Sequence, residues 1–318
     1  MKTLVVLCLL SSLTAQSPLG STPAISVAIT THAPNTSYKY TVAHTSDLHL
    51  WYYGPGYRET WVDNEFDRFA LLDSIQPLRL ILNSGDNAGG LGANQAAINK
   101  FVNLRDDPLR GFLMPPWISA MGNHEIDGDP TIGKSSWLTA LHPGVQHGIP
   151  TPGNTSEVYY ATLVGEFVYV VLDQNALGCG GYCFNSQVSQ VQLTWLQSVF
   201  SHPLASGKTG VIVMHEPLLL PSGVPTNSVS WFNAHSQTVM KVFTGIPQIK
   251  VVLTGHVHTK DVFKAFGIVW VAGNTDGQSN YFLEINERAK VTFEVARIYN
   301  SGSITHPVIP DFGYIHPF

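Results

Sequence analysis

Five apolar runs along this chain each end in side chains of types that bind metal ions. In chain order, the polar groups that follow these runs are Asp47 with His49, Asp86, Asn123 with His124, His215, and His256 with His258. Runs such as Leu80–Leu82 and Val211–Val213 are short, apolar and rich in branched side chains, which is typical of buried strands. Because each strand would deliver its polar group at its end, the five runs predict one sheet edge that carries a shared site.

Helical segments lie between these strands. Apolar spacing predicts helices over Asp63–Ile75, Asn94–Leu104 and Val188–Phe200, and Pro77 ends the first of them. The apolar face expected for the third helix consists of Val188, Val191, Trp195, Leu196 and Val199. This alternation of strands and helices predicts a layered α/β sandwich with mixed sheets and with ligands collected at the strand ends. Three later strands, expected over Ile268–Ala272, Tyr281–Ile285 and Val291–Ile298, resemble an antiparallel meander.

Size and composition favour one folded domain. The chain has 318 residues and no low-complexity or highly charged linker, so residues 18–318 are expected to form a single domain. Apolar residues make up 44% of the chain and charged residues 12%, which suits an extensive buried sheet. The formal charge of −5 and the lack of a basic cluster give no surface for nucleic acid. Oligomeric state is left open by the sequence.

The first 17 residues have the organisation of an export signal. Lys2 supplies a positive start, Thr3–Leu10 is apolar but too short to span a bilayer, and Ser11–Ser17 is rich in small residues. The alternative is a buried N-terminal strand. We expect a signal peptide over residues 1–17 and a secreted protein, and no later segment is long and apolar enough to be a stable membrane anchor.

Two cysteines remain after removal of the signal peptide. Cys179 and Cys183 flank two glycines and a tyrosine, and in an oxidising compartment they are expected to close a small disulfide loop. A metal-binding role is the alternative, although no second ligand pair lies nearby. Asn35 and Asn154 begin glycosylation motifs that would apply in a eukaryotic source.

The ligand types at the strand ends indicate the chemistry of the site. Aspartate, amide oxygen and neutral imidazole suit Zn, Mn or Fe, and no thiolate is offered. Seven candidate ligands exceed the need of one tetrahedral ion, and Asp86 stands alone at its strand end, as expected of a carboxylate shared by two ions. The sequence therefore predicts a site for two divalent or trivalent metal ions.

The ordered blocks resemble the motif series of the calcineurin-like metallophosphoesterases. The blocks are Asp47-Leu48-His49, Gly85-Asp86-Asn87, Gly122-Asn123-His124-Glu125, His215, and Gly255-His256-Val257-His258. Together they span about two thirds of the chain in the family's order. The resemblance implies a four-layer α-β-β-α sandwich with the metal site at the carboxyl ends of its strands.

The resemblance also implies a role for each site residue. Asp47, His49 and His258 would hold one ion, and Asn123, His215 and His256 would hold the other. Asp86 would bridge the two ions, and a bridging water or hydroxide would attack phosphorus. His124 would be the catalytic residue that stabilises the transition state or protonates the leaving oxygen. The implied function is hydrolysis of a phosphodiester or a small phosphomonoester.

The sequence differs from three groups of related enzymes, and these differences limit the branch of the family to which the chain is expected to belong. The block Gly85-Asp86-Asn87-Ala88-Gly89 lacks the tyrosine that purple acid phosphatases use as an iron ligand, and His49 stands where those enzymes usually have another residue. Neutral residues, including Ala120 and Met121, replace the arginines of serine/threonine protein phosphatases. Secreted 5'-nucleotidases have a large C-terminal domain, and about sixty residues follow His258. The remaining resemblance is to the phosphodiesterase and sphingomyelinase-like branches.

Several nearby residues have two interpretations. Glu125 is expected to be a supporting carboxylate rather than a catalytic one, and Asn87 would support either its loop or the substrate. The aromatic residues Trp51–Tyr53 either pack under a loop or stack on a substrate group. Histidines with no spacing that ties them to the metals are His44, His235 and His306.

Two alternatives to the esterase prediction remain. The chain would be a non-catalytic secreted metal-binding protein if it had kept the fold and metals without useful turnover, although the presence of His124 favours the enzyme. Hydrolysis of another bond, such as an amide, is the third hypothesis, because an activated hydroxide is not itself selective.

Overall fold

The computed structural model describes most of the chain between residues 25 and 309. The described residues are 25–27, 39–88, 95–125, 134–141, 158–174, 187–219, 236–273, 279–286 and 292–309. The predicted signal peptide, Asn35, Asn154, Cys179 and Cys183 all lie outside these ranges, as does His235. Among the described helices, none has the length and apolar character needed to cross a membrane.

Helices and strands alternate through the first two thirds of the described chain. The α-helices are α1 (Glu59–Ile75), α2 (Gln95–Arg105), α3 (Lys134–Leu141), α4 (Gln190–Ser201) and α5 (Ser236–Gly245). The strands are β1 (Ile25–Val27), β2 (Lys39–Thr45), β3 (Leu78–Asn83), β4 (Trp117–Ser119), β5 (Tyr160–Val164), β6 (Phe167–Val171), β7 (Thr209–Val213), β8 (Ile249–Thr254), β9 (Asp261–Ala265), β10 (Ile268–Ala272), β11 (Ser279–Asn286), β12 (Thr292–Tyr299) and β13 (Ile304–Thr305).

The strands form two mixed sheets. The first sheet has the order β1-β5-β6-β7-β8-β10-β9, and the second has the order β13-β12-β11-β2-β3-β4. Parallel pairing joins β6, β7, β8 and β10 in the first sheet and β2, β3 and β4 in the second. Antiparallel pairs join β5 to β6 and β9 to β10 in the first sheet, and join β11 to both β2 and β12 in the second. The predicted α/β class with mixed sheets is confirmed.

Three apolar layers hold the sheets and helices together. One layer packs α4 and α5 on the first sheet, a second fills the space between the sheets, and a third packs α1, α2 and α3 on the second sheet. Along β7, Val211 and Val213 face the other sheet whereas Ile212 faces the helices. Successive strand residues point to opposite faces, so a strand covered on both sides must be apolar throughout. The resulting order is the four-layer α-β-β-α sandwich.

The expected C-terminal meander is wrong in one strand. β10 pairs in parallel with β8 in the first sheet, whereas β11 and β12 pair with each other in the second. β10 has a second partner, β9, which was not predicted from the sequence and which forms a hairpin with β10. Phe266 and Gly267 connect them with φ angles of 56° and 75°, the positive values that tight hairpin turns require. β9 and β10 therefore form one hairpin in the first sheet, and the chain crosses to the second sheet only after β10.

One residue was also wrongly assigned to the apolar face of α4. Val191 is 63% exposed, whereas Leu193 is buried. Ser189 caps α4 by accepting a hydrogen bond from the Gln192 amide, which places the helix start at Gln190. From that start, Gln192, Leu193, Trp195, Leu196, Val199 and Phe200 turn inward. Val191 therefore lies in the first turn on the solvent side.

Candidate metal centre

The eight predicted site residues come from the ends of five strands and lie together. Asp47 and His49 follow β2, Asp86 follows β3, and Asn123 and His124 follow β4, all in the second sheet. The residues after β7 and β8 of the first sheet are His215, His256 and His258. The site therefore spans the adjacent edges of two sheets. The strand-end pattern alone predicted a single sheet edge, whereas the four-layer sandwich implied by the resemblance contains two sheets.

Asp47, His49 and His258 form the first group. The Nε2 atoms of His49 and His258 are 2.8 Å apart. Asp47 Oδ1 lies 3.5 Å from Nε2 of His258 and 3.9 Å from Nε2 of His49. Three ligand atoms, one from each residue, therefore converge on one point at the mouth of the site.

Asn123, His215 and His256 form the second group. The Asn123 side-chain oxygen is 3.0 Å from His215 Nε2 and 3.1 Å from His256 Nδ1. The two imidazole nitrogens are 3.2 Å apart. All three residues are buried, so this group lies deeper than the first, in which the His258 side chain is 48% exposed.

Asp86 lies between the two groups. Its Oδ2 atom is 3.2 Å from Nε2 of His215 and 3.8 Å from Nε2 of His49. The same carboxylate accepts a hydrogen bond at Oδ1 from the backbone amide of His124, 3.0 Å away. One side chain thus contacts a member of each group.

These separations fit metal coordination. In a tetrahedral site with metal–nitrogen bonds near 2 Å, two ligand atoms lie about 3.3 Å apart. The close imidazole pair of His49 and His258, at 2.8 Å, is repulsive unless a cation or a proton lies between the nitrogens. Aspartate, asparagine and histidine are also a donor set that suits divalent ions of the zinc, manganese and iron type. The arrangement of the side chains therefore fits bound divalent metal.

The backbone at this site adopts a conformation that side chains other than glycine seldom take. Positive φ angles between 49° and 69° occur at Asp47, His49, Asp86, His256 and His258. Such left-handed residues cost free energy and concentrate at functional sites, where the surrounding structure holds them in place. The tight loops after the strands therefore favour function over local stability.

Glycines before the ligands let the loops approach closely. A Cβ atom on Gly122 would lie 2.1 Å from Oδ1 of Asp86, and one on Gly255 would lie 2.7 Å from Oδ2 of Asp47. Both distances are far shorter than van der Waals contact. The glycines of the Gly-Asn-His-Glu and Gly-His-Val-His blocks are therefore steric requirements for placing the two carboxylates.

Glu125 connects the loops that carry Asp86 and Asn123. Its Oε2 atom accepts hydrogen bonds from the amides of Asp86, at 2.9 Å, and Gly122, at 2.7 Å, and Oε1 accepts one from Asn87. Burial, together with the charge of Asp86, raises the pKa of Glu125 to about 7. The carboxylate faces the backbone, which agrees with the expected supporting role. Asn87 likewise serves its loop, since its side chain donates to Asn83.

Further supporting residues were not predicted. The Nδ1 atom of His215 donates to the Ser84 carbonyl at 2.7 Å, which turns Nε2 toward the site. The Ser84 hydroxyl lies 2.8 Å from Nε2 of His44, and the Ser46 hydroxyl contacts the Asp47 carboxylate and lies 2.9 Å from the Gly273 carbonyl. A serine gives no distinctive sequence pattern. The only sign of these contacts in the sequence is that Ser46 directly precedes Asp47 and Ser84 directly precedes Gly85.

The site contains both neutral and charged side chains, because burial and neighbouring charges shift their pKa values in different directions. Burial lowers the pKa values of His49 and His256 to about 3, so both rings are neutral. Burial opposes charge on His215 as well, but the adjacent Asp86 carboxylate outweighs it and raises the pKa of His215 to about 10. The pKa of Asp86 lies well below its usual value, because the neighbouring histidines overcome the effect of burial. Neutral imidazole and ionised carboxylate are the forms that bind metal.

His124 lies at the opening of the site. Its side chain is 18% exposed, and its Nε2 atom is 3.9 Å from Oδ2 of Asp86. The ring contacts His49 and Tyr52 edge to face, with centroids 5.1 and 4.9 Å apart. This histidine is therefore beside the shared carboxylate and partly exposed, and with His49 and Asp86 it forms a further cluster whose ligand atoms lie within 4.8 Å of one another.

The remaining predicted neighbours divide between structure and surface. Trp51 donates to Glu59 at 2.6 Å and is partly buried under the loop, whereas Tyr53 is exposed. His44 is buried, and His306 lies 3.6 Å from Glu284 at the far edge of the second sheet. Both histidines are outside the ligand groups, as expected.

The family model for calcineurin-like phosphoesterases matches residues 40–260, more than half of the chain. The chain therefore belongs to the calcineurin-like phosphoesterase family. Membership indicates hydrolysis of phosphate esters with divalent metal ions, and the clustered ligands agree with it. Among curated protein sequences, none matches the chain significantly.

Solved structures share the fold at low sequence identity. A dimetal phosphatase from Danio rerio has a TM-score of 0.54 at 13% identity over 82% of this chain and 95% of its own. GAP50, the anchor in the inner membrane complex of Plasmodium, has a TM-score of 0.56 at 11% identity, with 85% and 89% covered. A purple acid phosphatase from yellow lupin, Lupinus luteus, has a TM-score of 0.53 at 12% identity, with 88% and 55% covered. These likenesses show the fold alone.

Proposed function

We propose that this protein is a dinuclear-metal phosphoesterase that hydrolyses a phosphodiester or a small phosphomonoester. The observation that carries the proposal is the position of Asp86 between two three-ligand groups. Asp47, His49 and His258 would hold one ion, Asn123, His215 and His256 would hold the other, and Asp86 would contact both. Zn, Mn and Fe all suit these ligands.

The chain's own residues have separate tasks in this proposal. Two bound ions would activate water and polarise the phosphate oxygens. Asp86 keeps its negative charge beside His215, and Glu125 fixes the loop on which Asp86 lies. His124 is the group at the opening that would donate a proton to the leaving oxygen or stabilise the charge that develops there. Its partial exposure leaves room for substrate on the solvent side.

The branch is proposed from the residues around the ligands. The Asp47-Leu48-His49 start resembles the phosphodiesterase and sphingomyelinase-like branches, and the Gly85–Gly89 stretch lacks the tyrosine that purple acid phosphatases use as an iron ligand. Asn87 is turned toward Asn83 and Glu125 and is not placed as a metal ligand. A panel of diesters and monoesters with one chromogenic leaving group would rank the two substrate classes directly.

The test of the proposal is turnover that depends on both metal and Asp86. The full chain, loaded with Mn or Zn, is expected to hydrolyse a chromogenic phosphate ester, and chelation or Asp86→Ala should abolish the activity. Activity that persists in the alanine variant would contradict the mechanism. Two ions per chain with no turnover on a broad ester panel would support the alternative, a non-catalytic metal-binding protein.

We also propose that the protein is secreted. The support is the order of positive, apolar and small residues over positions 1–17. Expression of the full chain in a secreting host, followed by N-terminal sequencing, should give a product in the medium that begins near residue 18. Retention in the cell with an intact N-terminus would contradict the proposal.

A further inference from the structure

A series of aromatic side chains extends from His124 toward the surface. The Tyr52 ring contacts His124 with centroids 4.9 Å apart, Tyr53 lies 4.7 Å from Tyr52, and Tyr57 lies 4.9 Å from Tyr53. Every contact is edge to face. Tyr53 is 76% exposed although its ring is large and mostly apolar. The series thus places one exposed tyrosine, Tyr53, and two partly buried ones, Tyr52 and Tyr57, beside the metal centre.

Arg58 extends the same surface and gives it a positive charge. Its guanidinium carbon lies 5.6 Å from the ring centre of Tyr57 and 4.8 Å from that of Trp61. Nη1 donates to the Asp47 carbonyl at 3.0 Å, so the charge is anchored to the loop that carries the first ligands. Trp61 is 42% exposed, and residues 56–61 line an open cavity of about 340 Å³.

The chemistry of this surface selects one class of group. Exposed aromatic rings bind planar rings by stacking, and an arginine held over them stacks in the same way. Rings alone would also attract a quaternary ammonium, but the fixed charge of Arg58 repels such a cation. The surface therefore favours a planar aromatic group, with or without further negative charge, over a choline-like group.

We propose that Tyr52, Tyr53, Tyr57, Arg58 and Trp61 form an aromatic strip that binds a nucleobase-like ring of the substrate. The inference rests on the proposed function, because it places the phosphate of that substrate at the metal centre. The contact between Tyr52 and His124 makes the strip continuous with the group proposed to act on the leaving oxygen. The substrate class is then a nucleotide ester.

The experiment compares two ligands that differ by the base alone. Adenosine 5'-monophosphate and ribose 5-phosphate are titrated by calorimetry into the full chain that carries His124→Gln and is loaded with Mn, because the unaltered enzyme would hydrolyse both esters during the titration. The nucleotide should bind about tenfold more tightly, the size expected for one stacked base. Trp61→Ala and Tyr53→Ala should each remove most of that difference, while the affinity for ribose 5-phosphate stays the same. Both residues lie outside the proposed metal ligands.

A matched control and a competing ligand complete the test. Leu113 is 78% exposed and apolar but is not part of the strip, so Leu113→Ala should keep the full preference for the nucleotide. Phosphocholine should bind no better than ribose 5-phosphate. Equal affinities of the two sugar phosphates, a preference that survives both strip variants, or tighter binding of phosphocholine would overturn the proposal.

Binding separates this inference from the proposed function. If the protein binds the nucleotide through the strip but hydrolyses no ester, the strip proposal stands and the enzyme proposal fails. If it hydrolyses small esters without preference for the nucleotide, the enzyme proposal stands and the strip proposal fails.

Discussion

The Oδ2 atom of Asp86 lies 3.2 Å from Nε2 of His215, and the two side chains determine each other's charge. The carboxylate keeps the pKa of His215 near 10 against the effect of burial, and the histidine helps to keep the pKa of Asp86 low. A metal ion bound to both would replace the imidazole proton, so the pair is already arranged for a cation. Asp86 therefore lies between the two ligand groups and also controls the charge of His215.

Replacement of Asp86 by asparagine should remove metal. The variant keeps the shape and an acceptor for the His124 amide but loses the negative charge. We expect the metal content to fall from two ions per chain to one or none, and turnover to fall at least about a hundredfold. Elemental analysis and an ester assay would check this. Asp67→Asn, on the outer face of α1, should change neither quantity, and full metal content in Asp86→Asn would count against a shared ligand.

Gly122→Ala should damage the site without unfolding the protein. The new Cβ would meet Oδ1 of Asp86 at 2.1 Å and Asp86's amide at 2.6 Å, so the bridging carboxylate must move. A displacement of about 1 Å at a catalytic group can lower turnover about a hundredfold. Gly245→Ala is the control, since a Cβ there meets nothing within 4 Å. Metal titration of both variants would decide, and unchanged affinity in Gly122→Ala would show that the loops can separate at little cost.

Glu125→Gln should lower the stability of the fold. In the wild type, the backbone N–H groups of Asp86 and Gly122 donate to the Glu125 carboxylate. In the variant, the side-chain NH2 group replaces one carboxylate oxygen, so a donor would face these donors and hydrogen bonds would be lost. An unmade hydrogen bond at a buried charged group costs about 3 kcal/mol in the free energy of unfolding. Urea unfolding at pH 8.5, above the Glu125 pKa of about 7, would measure this loss with the carboxylate ionised. Glu166→Gln, which breaks only an exposed pair with Lys208, should cost less than about 1 kcal/mol, and equal losses in the two variants would refute the role of Glu125.

His44 should make the protein sensitive to acid. Burial, followed by the charge of Lys260, lowers the pKa of His44 to about 3, below the ordinary value of 6.5. The unfolded chain therefore binds more protons between these values, so the contribution is present above pH 6.5 and is lost as pH falls toward 3. The slope from one proton is at most about 1.4 kcal/mol per pH unit.

The His44→Gln variant isolates that contribution. Glutamine places an amide near the position of Nε2, where Ser84 is the partner, and it does not titrate. In chelator, to remove metal release from the comparison, the variant's free energy of unfolding should fall less steeply than that of the wild type between pH 6.5 and 5. Parallel curves would show that His44 is not the titrating group.

The sequence was most informative where each strand is buried on both faces. Val211–Val213 and Leu80–Leu82 have no polar alternation, so the polar residue after each run marks where the strand leaves the core. That relation identified all eight site residues that the fold brings together. The strand-end pattern alone did not show that these strands belong to two sheets, because pairing between distant strands is set by packing rather than by local pattern. The two sheets were expected only from the resemblance to the family.

Other features required three-dimensional contacts. β9 contains Asp261 and Lys264 and was not recognised as a strand, and without it β10 was assigned to the wrong partners. Arg58 was not selected because nothing in its local sequence shows that it reaches the Asp47 carbonyl. The supporting bonds of Glu125 also join residues that are almost forty positions apart.

The most direct test of the central claim is to measure metal content and turnover together in His124→Gln. His124 lies beside Asp86 and its side chain is 18% exposed, and we assign it to the substrate rather than to the metal. The competing arrangement is His124 as a metal ligand together with His49 and Asp86. We predict two ions per chain, as in the wild type, with kcat lower by about a hundredfold to ten thousandfold on the same ester. Loss of metal from this variant, or turnover equal to the wild type, would contradict the division between Asp86 as a shared ligand and His124 as the catalytic group.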